Sequence, residues 1–117
     1  MNENVLLDKS KKFALRIVKL CAYLKDKKRE FNISGQLFRS GTSVGANIAE
    51  SKYAASKADF INKLHIALKE ASETEYWLQL LGEADILTQA ESEAILSDCT
   101  ELIKMLTAAL KTGKNVN

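Results

Sequence analysis

Lys9, Lys12, Arg16 and Lys19 recur at steps of three, four and three residues, and Tyr23 continues the line. On a helix those steps return to one edge, so four cations and a ring would stand in a row. Such a row can hold the phosphates of RNA or DNA. It is also what an ordinary solvated helix face looks like. A second group mixes charge with amide and hydroxyl: Arg39, Ser43, Asn47 and Glu50 share one helical arc with Gln36, and Glu70 and Glu73 follow further along the chain. If two helices pack antiparallel about Ser56, Arg39 comes level with Glu70 and Glu73, and an Arg–Glu pair is the simplest outcome. Inside a bundle, removing one partner of such a pair would cost about 3–5 kcal/mol, because the other charge is left unpaired. The cluster therefore reads as a structural device that specifies register or assembly.

Catalytic readings of the same residues are weaker. Ser43 would need a positioned base to act as a nucleophile, and the single histidine, His65, lies off the main apolar seam of its helix with no acid at matching spacing. A di-metal carboxylate site in a bundle takes Glu-x-x-His from two helices, whereas this chain has one histidine and Glu70-x-x-Glu73. Ser40 to Gly45 is glycine-rich, but Ala46 and Asn47 follow where a phosphate-binding loop requires a lysine. Cys21 and Cys99 sit among apolar residues at helical spacing, with no CxxC or Cys/His cluster, and are expected to be buried reduced thiols. The expectation is no catalytic residue, no metal and no cofactor.

The elements that carry these residues follow from pattern and composition. The chain has 117 residues, 46% hydrophobic and 27% charged, which suits one domain over 1–117. Proline is absent and only five glycines occur, which argues against a turn-rich sandwich or barrel. Phe13, Ile17, Leu20, Cys21 and Leu24, widened by Ala14 and Val18, mark a first helix over about 5–27. A second, over about 33–53 and capped by Asn32 or Ser34, has one apolar face of Ile33, Leu37, Val44 and Ile48 and another of Phe38, Thr42, Gly45 and Ala49. Gly35, Gly41 and Gly45 each lower its helix propensity by about 1 kcal/mol. Close approach of a neighbouring helix is the natural compensation, and the segment is expected to be wrapped by protein on nearly every side.

Ser56-Lys57-Ala58-Asp59 opens a third helix, over about 57–84, in which Phe60, Leu64, Ala67, Ala71, Thr74, Leu78 and Leu81 alternate steps of four and three. Thr88-Gln89-Ala90-Glu91 opens a fourth, over about 89–112, with Ile95, Cys99, Leu102, Leu106 and Leu110 inward, a stop at Gly113 and a frayed KNVN tail. The fold class is all-α, an antiparallel up-and-down four-helix bundle. Up to Ser40 there are ten Lys/Arg against four Asp/Glu, and beyond it seven against eleven, so a basic region can face an acidic one after folding. The start, MNENVLLDKS, lacks the pattern of a secretory signal, and no apolar run could span a bilayer. A cytoplasmic protein without a membrane partner is expected.

QLFRSGTSVGANIAES at 36 to 51, followed by DFINKLHIALKEASETEYWLQLL at 59 to 81, resembles the 23S rRNA intervening-sequence proteins, also called four-helix bundle proteins. That family's pattern falls on Gln36, Arg39, Ser43, Asn47, Ile48, Ala49 and Glu50, and then on Ala67, Glu70, Ser72, Glu73, Thr74, Trp77 and Leu78; Ser51 departs from it, since many relatives have glycine there. The resemblance implies an up-and-down bundle assembled as a ring, typically a homopentamer, with no established enzymatic activity. It also implies a connection with RNA, because some members are encoded within insertions in large-subunit rRNA genes and the family is similar to the nucleic-acid-associated accessory protein of diversity-generating retroelements.

Two functions follow as expectations. One is a non-enzymatic homo-oligomer that contacts RNA or DNA through Lys9, Lys12, Arg16 and Lys19. The other is a protein-interaction scaffold in which those cations meet an acidic partner and nucleic acid plays no part.

Overall fold

The computed structural model describes residues 3–115, which form α1 (Glu3–Asp26), α2 (Asn32–Ser51), α3 (Lys57–Glu83) and α4 (Gln89–Asn115). Each helix runs antiparallel to its neighbours, as the level pairs of residues demonstrate: Ile17 with Gly41 and Ser10 with Gly45 between α1 and α2, Ser40 with Thr74 and Glu50 with Lys63 between α2 and α3, and Gly82 with Ser92 and Ala71 with Cys99 between α3 and α4. Lys9 with Glu101 and Arg16 with Asp98 close α1 against α4. The result is an up-and-down bundle about 48 Å long and 21 by 19 Å across.

One core runs its length. Leu6, Phe13, Ile17, Cys21 and Leu24 of α1 meet Leu37, Val44 and Ile48 of α2, Leu64, Ala67, Ala71, Leu78 and Leu81 of α3, and Ile95, Cys99, Leu102, Leu106 and Leu110 of α4. The regular four-and-three spacing on α3 keeps its seam continuous toward the axis, as left-handed bundle packing requires. Serines also occupy core positions: Ser10, Ser34, Ser40, Ser51 and Ser92 are buried. Ser10 and Ser51 hold their hydroxyls internally by donating to the carbonyls of Leu7 and Ile48, at 2.8 and 2.6 Å.

Two of the three α2 glycines answer to close helix approach. A Cβ on Gly41 would lie 2.9 Å from both Ile17 branches, and one on Gly45 would lie 3.2 Å from the Ser10 hydroxyl, whereas one on Gly35 would meet nothing within 4 Å. The remaining surface of α2 departs from the expected enclosure. Gln36, Arg39, Ala46 and Glu50 are exposed, and Phe38 keeps 46% of its surface accessible. In a four-helix bundle each helix touches two neighbours, so an outer arc necessarily faces water.

The helix ends show other departures. Neither Asn32 nor Ser34 caps α2: the Glu30 carboxylate reaches over the helix start and accepts from the Ile33 and Ser34 N–H groups at 2.9 and 2.7 Å. The Ser56 hydroxyl accepts from Asp59 N–H at 3.1 Å, but the Asp59 carboxylate returns to Ala55 N–H, one residue before the cap. Thr88 and Glu91 form a complete reciprocal box, Glu91 N–H to the Thr88 hydroxyl at 3.2 Å and Thr88 N–H to the carboxylate at 2.9 Å. Gly113 does not stop α4, which continues to Asn115; a Cβ there would be in ordinary contact with Ile61 of α3, 3.8 Å away, so the last turns still have a helix to pack on. Of the expected frayed tail, residues 116–117 lie outside the described residues. Cys21 and Cys99 are buried and free; burial pushes their thiols up, to about 11 and about 12.

Candidate nucleic-acid interface and polar cluster

The α1 edge is a zigzag rather than a row. At about 100° per residue, Lys9 and Arg16 point toward α4, while Lys12 and Lys19 lie about 60° farther round the helix. The two that face α4 are taken up there. Lys9 Nζ bonds Glu101 Oε1 at 2.7 Å, Arg16 bonds Asp98, and all four side chains remain roughly half-exposed. Between them lies a cleft of about 250 Å³ floored by Phe13 and Leu102, with Lys12 on its rim. Among the described residues, Lys12 and Lys19 enter no ion pair. The basic half of the chain therefore meets the acidic half within one subunit, and two of the four cations on this edge already have carboxylate partners there. The signal for this is Asp98-x-x-Glu101, a pair of carboxylates one turn apart on the helix that closes against α1.

Arg39, Glu70 and Glu73 do come together. Arg39 donates to both Glu70 oxygens, at 3.2 and 3.3 Å, and to Glu73, whose carboxylate also accepts from Trp77 Nε1 at 3.0 Å. The Trp77 bond first, then Arg39, holds the Glu73 carboxyl below its ordinary value, and Glu73 in turn raises the Arg39 guanidinium. This is a groove between α2 and α3, not the bundle interior. The Arg39 side chain is 50% exposed, so the large penalty of a broken buried pair does not apply to a single subunit.

Ser43, Asn47 and Glu50 do not join that pair. Ser43 donates its hydroxyl to the Arg39 carbonyl at 2.7 Å, Asn47 donates its amide to the Ser43 carbonyl at 2.9 Å, and Glu50 takes Lys63 at 3.1 Å, two to three turns away along the α2–α3 groove. Sequence reasoning missed the buried partner of this cluster. Directly inside it, the Ser40 and Thr74 hydroxyls share a 2.9 Å hydrogen bond, and Thr74 donates to the Glu70 carbonyl at 2.7 Å. Thr74 is visible as a seam residue; Ser40, adjacent to Gly41, carries no signal beyond its small size. Among the described residues no cluster of three His, Cys, Asp or Glu could hold a metal ion.

The family model for 23S rRNA-intervening sequence proteins matches residues 2–108. The chain belongs to that family. The match reaches through α1 and most of α4, so the family likeness extends well beyond the α2 and α3 motifs that first reveal it. The chain is also similar to a solved structure from Bacteroides thetaiotaomicron, described as a protein of unknown function from the S23 ribosomal protein family: 53% identity, TM-score 0.92, covering 95% of this chain and 99% of that one. No curated protein matches. The family is of unknown function and indicates no enzymatic class. No helix among the described residues is long and apolar enough to cross a membrane.

Proposed function

We propose that this member of the 23S rRNA intervening-sequence family is a non-enzymatic, cytoplasmic homo-oligomer, a pentameric ring by analogy with the family, that associates with RNA through the outer edge of α1. The observation that carries the reading is the pair of exposed cations without ion-pair partners, Lys12 and Lys19, beside two more that are only loosely held by exposed carboxylates. Repetition around a ring would multiply individually weak phosphate contacts through avidity. Half-exposed Leu15, Val18 and Phe38 supply apolar surface for self-association.

Purified protein should bind RNA with an affinity that falls steeply as salt rises, and replacing Lys9, Lys12, Arg16 and Lys19 by Ala should flatten that dependence. Absence of salt-sensitive binding ends the reading. A second reading has its own support: the α1 edge already accepts carboxylates, in Asp98 and Glu101, so an acidic protein surface could occupy the same cations. Light scattering across a salt series separates the two, since an assembly held by that charge pairing dissociates at high salt and one with an apolar interface does not.

A further inference from the structure

At one end of the bundle the α1–α2 connection folds beside the α3–α4 turn. Lys28, Arg29, Glu30, Phe31, Asn32, Asp85 and Ile86 enclose a recess of about 340 Å³ there, large enough for a nucleobase. Four cations, Lys25, Lys27, Lys28 and Arg29, fall within five residues, and among the described residues none of them enters an ion pair. The nearby acids are partly committed elsewhere: Glu30 accepts the first N–H groups of α2, and Glu91 accepts Thr88 N–H. Lys28 and Arg29 share the recess wall with Glu30 and Asp85, and the surplus cations, Lys25 and Lys27, lie outside that lining.

Phe31 is the second element. It is 53% exposed, and as the residue preceding α2 it makes no capping bond that would explain a large ring there. The Arg29 guanidinium lies 5.2 Å from the Phe31 ring centroid, and Lys28 Nζ lies 6.0 Å from that of Tyr23. Arg29 reaches its position with φ at 55°, a left-handed conformation that suits glycine and costs a residue that carries a Cβ. An exposed ring with a guanidinium on it, in a segment whose neighbouring cations enter no ion pair, is the arrangement on which unpaired bases stack while their phosphates are neutralised.

We propose that the α1–α2 connection is a contact site for single-stranded nucleic acid, with a base stacked on the free surface of Phe31 and the flanking phosphates held by Lys27, Lys28 and Arg29. This rests on the reading that the protein binds nucleic acid, and it places a second contact at the bundle end, apart from the α1 edge. A duplex cannot use it, because its bases are already stacked.

The test is fluorescence anisotropy with the full chain and a labelled oligouridine, beside a labelled RNA duplex. Phe31→Ala should weaken oligouridine binding about tenfold, Phe31→Trp should retain it, and duplex binding should be unaffected by either. Arg29→Gly should lower the salt slope by about one without loss of helical circular dichroism, since glycine accepts the backbone angle. If oligouridine binds but is indifferent to Phe31 and Arg29 and is lost on replacing Lys12 and Lys19, this inference falls while the α1 reading stands. Binding of duplex alone also overturns it. If neither ligand binds, both readings fail together.

Discussion

The seam between α2 and α3 and the seam between α1 and α4 both end in exposed Arg–carboxylate pairs, yet they are built differently underneath. Behind Arg39 and its two glutamates lies the buried Ser40–Thr74 hydrogen bond, on a stretch of α3 whose other buried residues include the small Ala67 and Ala71. Behind Arg16 and Lys9 lies an open cleft over Phe13 and Leu102. Small residues draw helices together and let short hydroxyls satisfy one another without water. Where the facing residues are large, the outer edges stay apart and long charged side chains bridge the gap. The bundle is therefore closed firmly around α2 and more loosely where its first and last helices meet, and two of the four cations that sequence pattern offers to a partner, Lys9 and Arg16, bridge the loose seam.

If close approach is what distinguishes the α2 seams, breaking it should have the largest effect. Gly41→Val raises intrinsic helix propensity but drives two methyl groups into Ile17, and should destabilise by about 2–3 kcal/mol in urea unfolding. Gly35 provides the internal control. Open space surrounds its Cβ position, so Gly35→Ala should stabilise by about 0.5–1 kcal/mol. A Gly41 variant as stable as wild type would mean that the helices are not held at the observed separation.

Thr74→Val sharpens the comparison by keeping shape and removing one hydroxyl. It strips the buried Ser40 hydroxyl of its side-chain partner, and should cost about 1–2 kcal/mol. Equal stability of the variant would show that Ser40 turns without penalty to a carbonyl of its own helix. Across the loose seam the corresponding numbers should be smaller. A double-mutant cycle on Arg16 and Asp98 should give a coupling of about 0.3–0.5 kcal/mol that fades between low and high salt, as half-exposed pairs do. A coupling several times larger, or insensitive to salt, would mean that the cleft is effectively dry and the two seams are alike.

Particular residues explain how much of this was legible beforehand. The α3 and α4 seams stand out because Leu64, Ala67, Ala71, Leu78 and Leu81, then Ile95, Cys99, Leu102, Leu106 and Leu110, repeat with helical period and are apolar by type. Arg39 with Glu70 and Glu73 was legible from antiparallel register alone. Ser10, Ser40 and Ser92 were not, because a serine inside an apolar stripe is polar by type and small by function. Ser92, whose hydroxyl lies 2.5 Å from where a Gly82 Cβ would sit, is buried for its size. The pairing of Lys9 and Arg16 escaped for another reason. A helix edge read in isolation gives no account of the carboxylates that a distant helix brings beside it. Glu30 escaped because it caps α2 from outside the positions where caps are sought, and Gly113 because α3 still runs beside that turn of α4, with Ile61 3.8 Å from where a Cβ would sit.

The smallest expected effect, the pH-dependent part of one stability difference, is also the most specific to the α2–α3 groove. Glu73 titrates below its ordinary value of 4.5 because Trp77 Nε1–H and then Arg39 bond its ionised form. The unfolded chain consequently binds that proton more readily than the folded one. The stability Glu73 contributes is therefore complete above the ordinary carboxylate range, and is lost as the pH falls through that range and then through the lower native value. Trp77→Phe removes the larger cause. It should reduce stability at neutral pH through lost packing and the lost bond together, and the gap between wild type and variant should narrow as the solution is made acid, because only the packing part survives protonation. Urea unfolding at a series of pH values reads that narrowing directly. A gap of constant size from neutral to acid pH would show that Trp77 stabilises by packing alone, leaving Arg39 as the only partner that matters to Glu73.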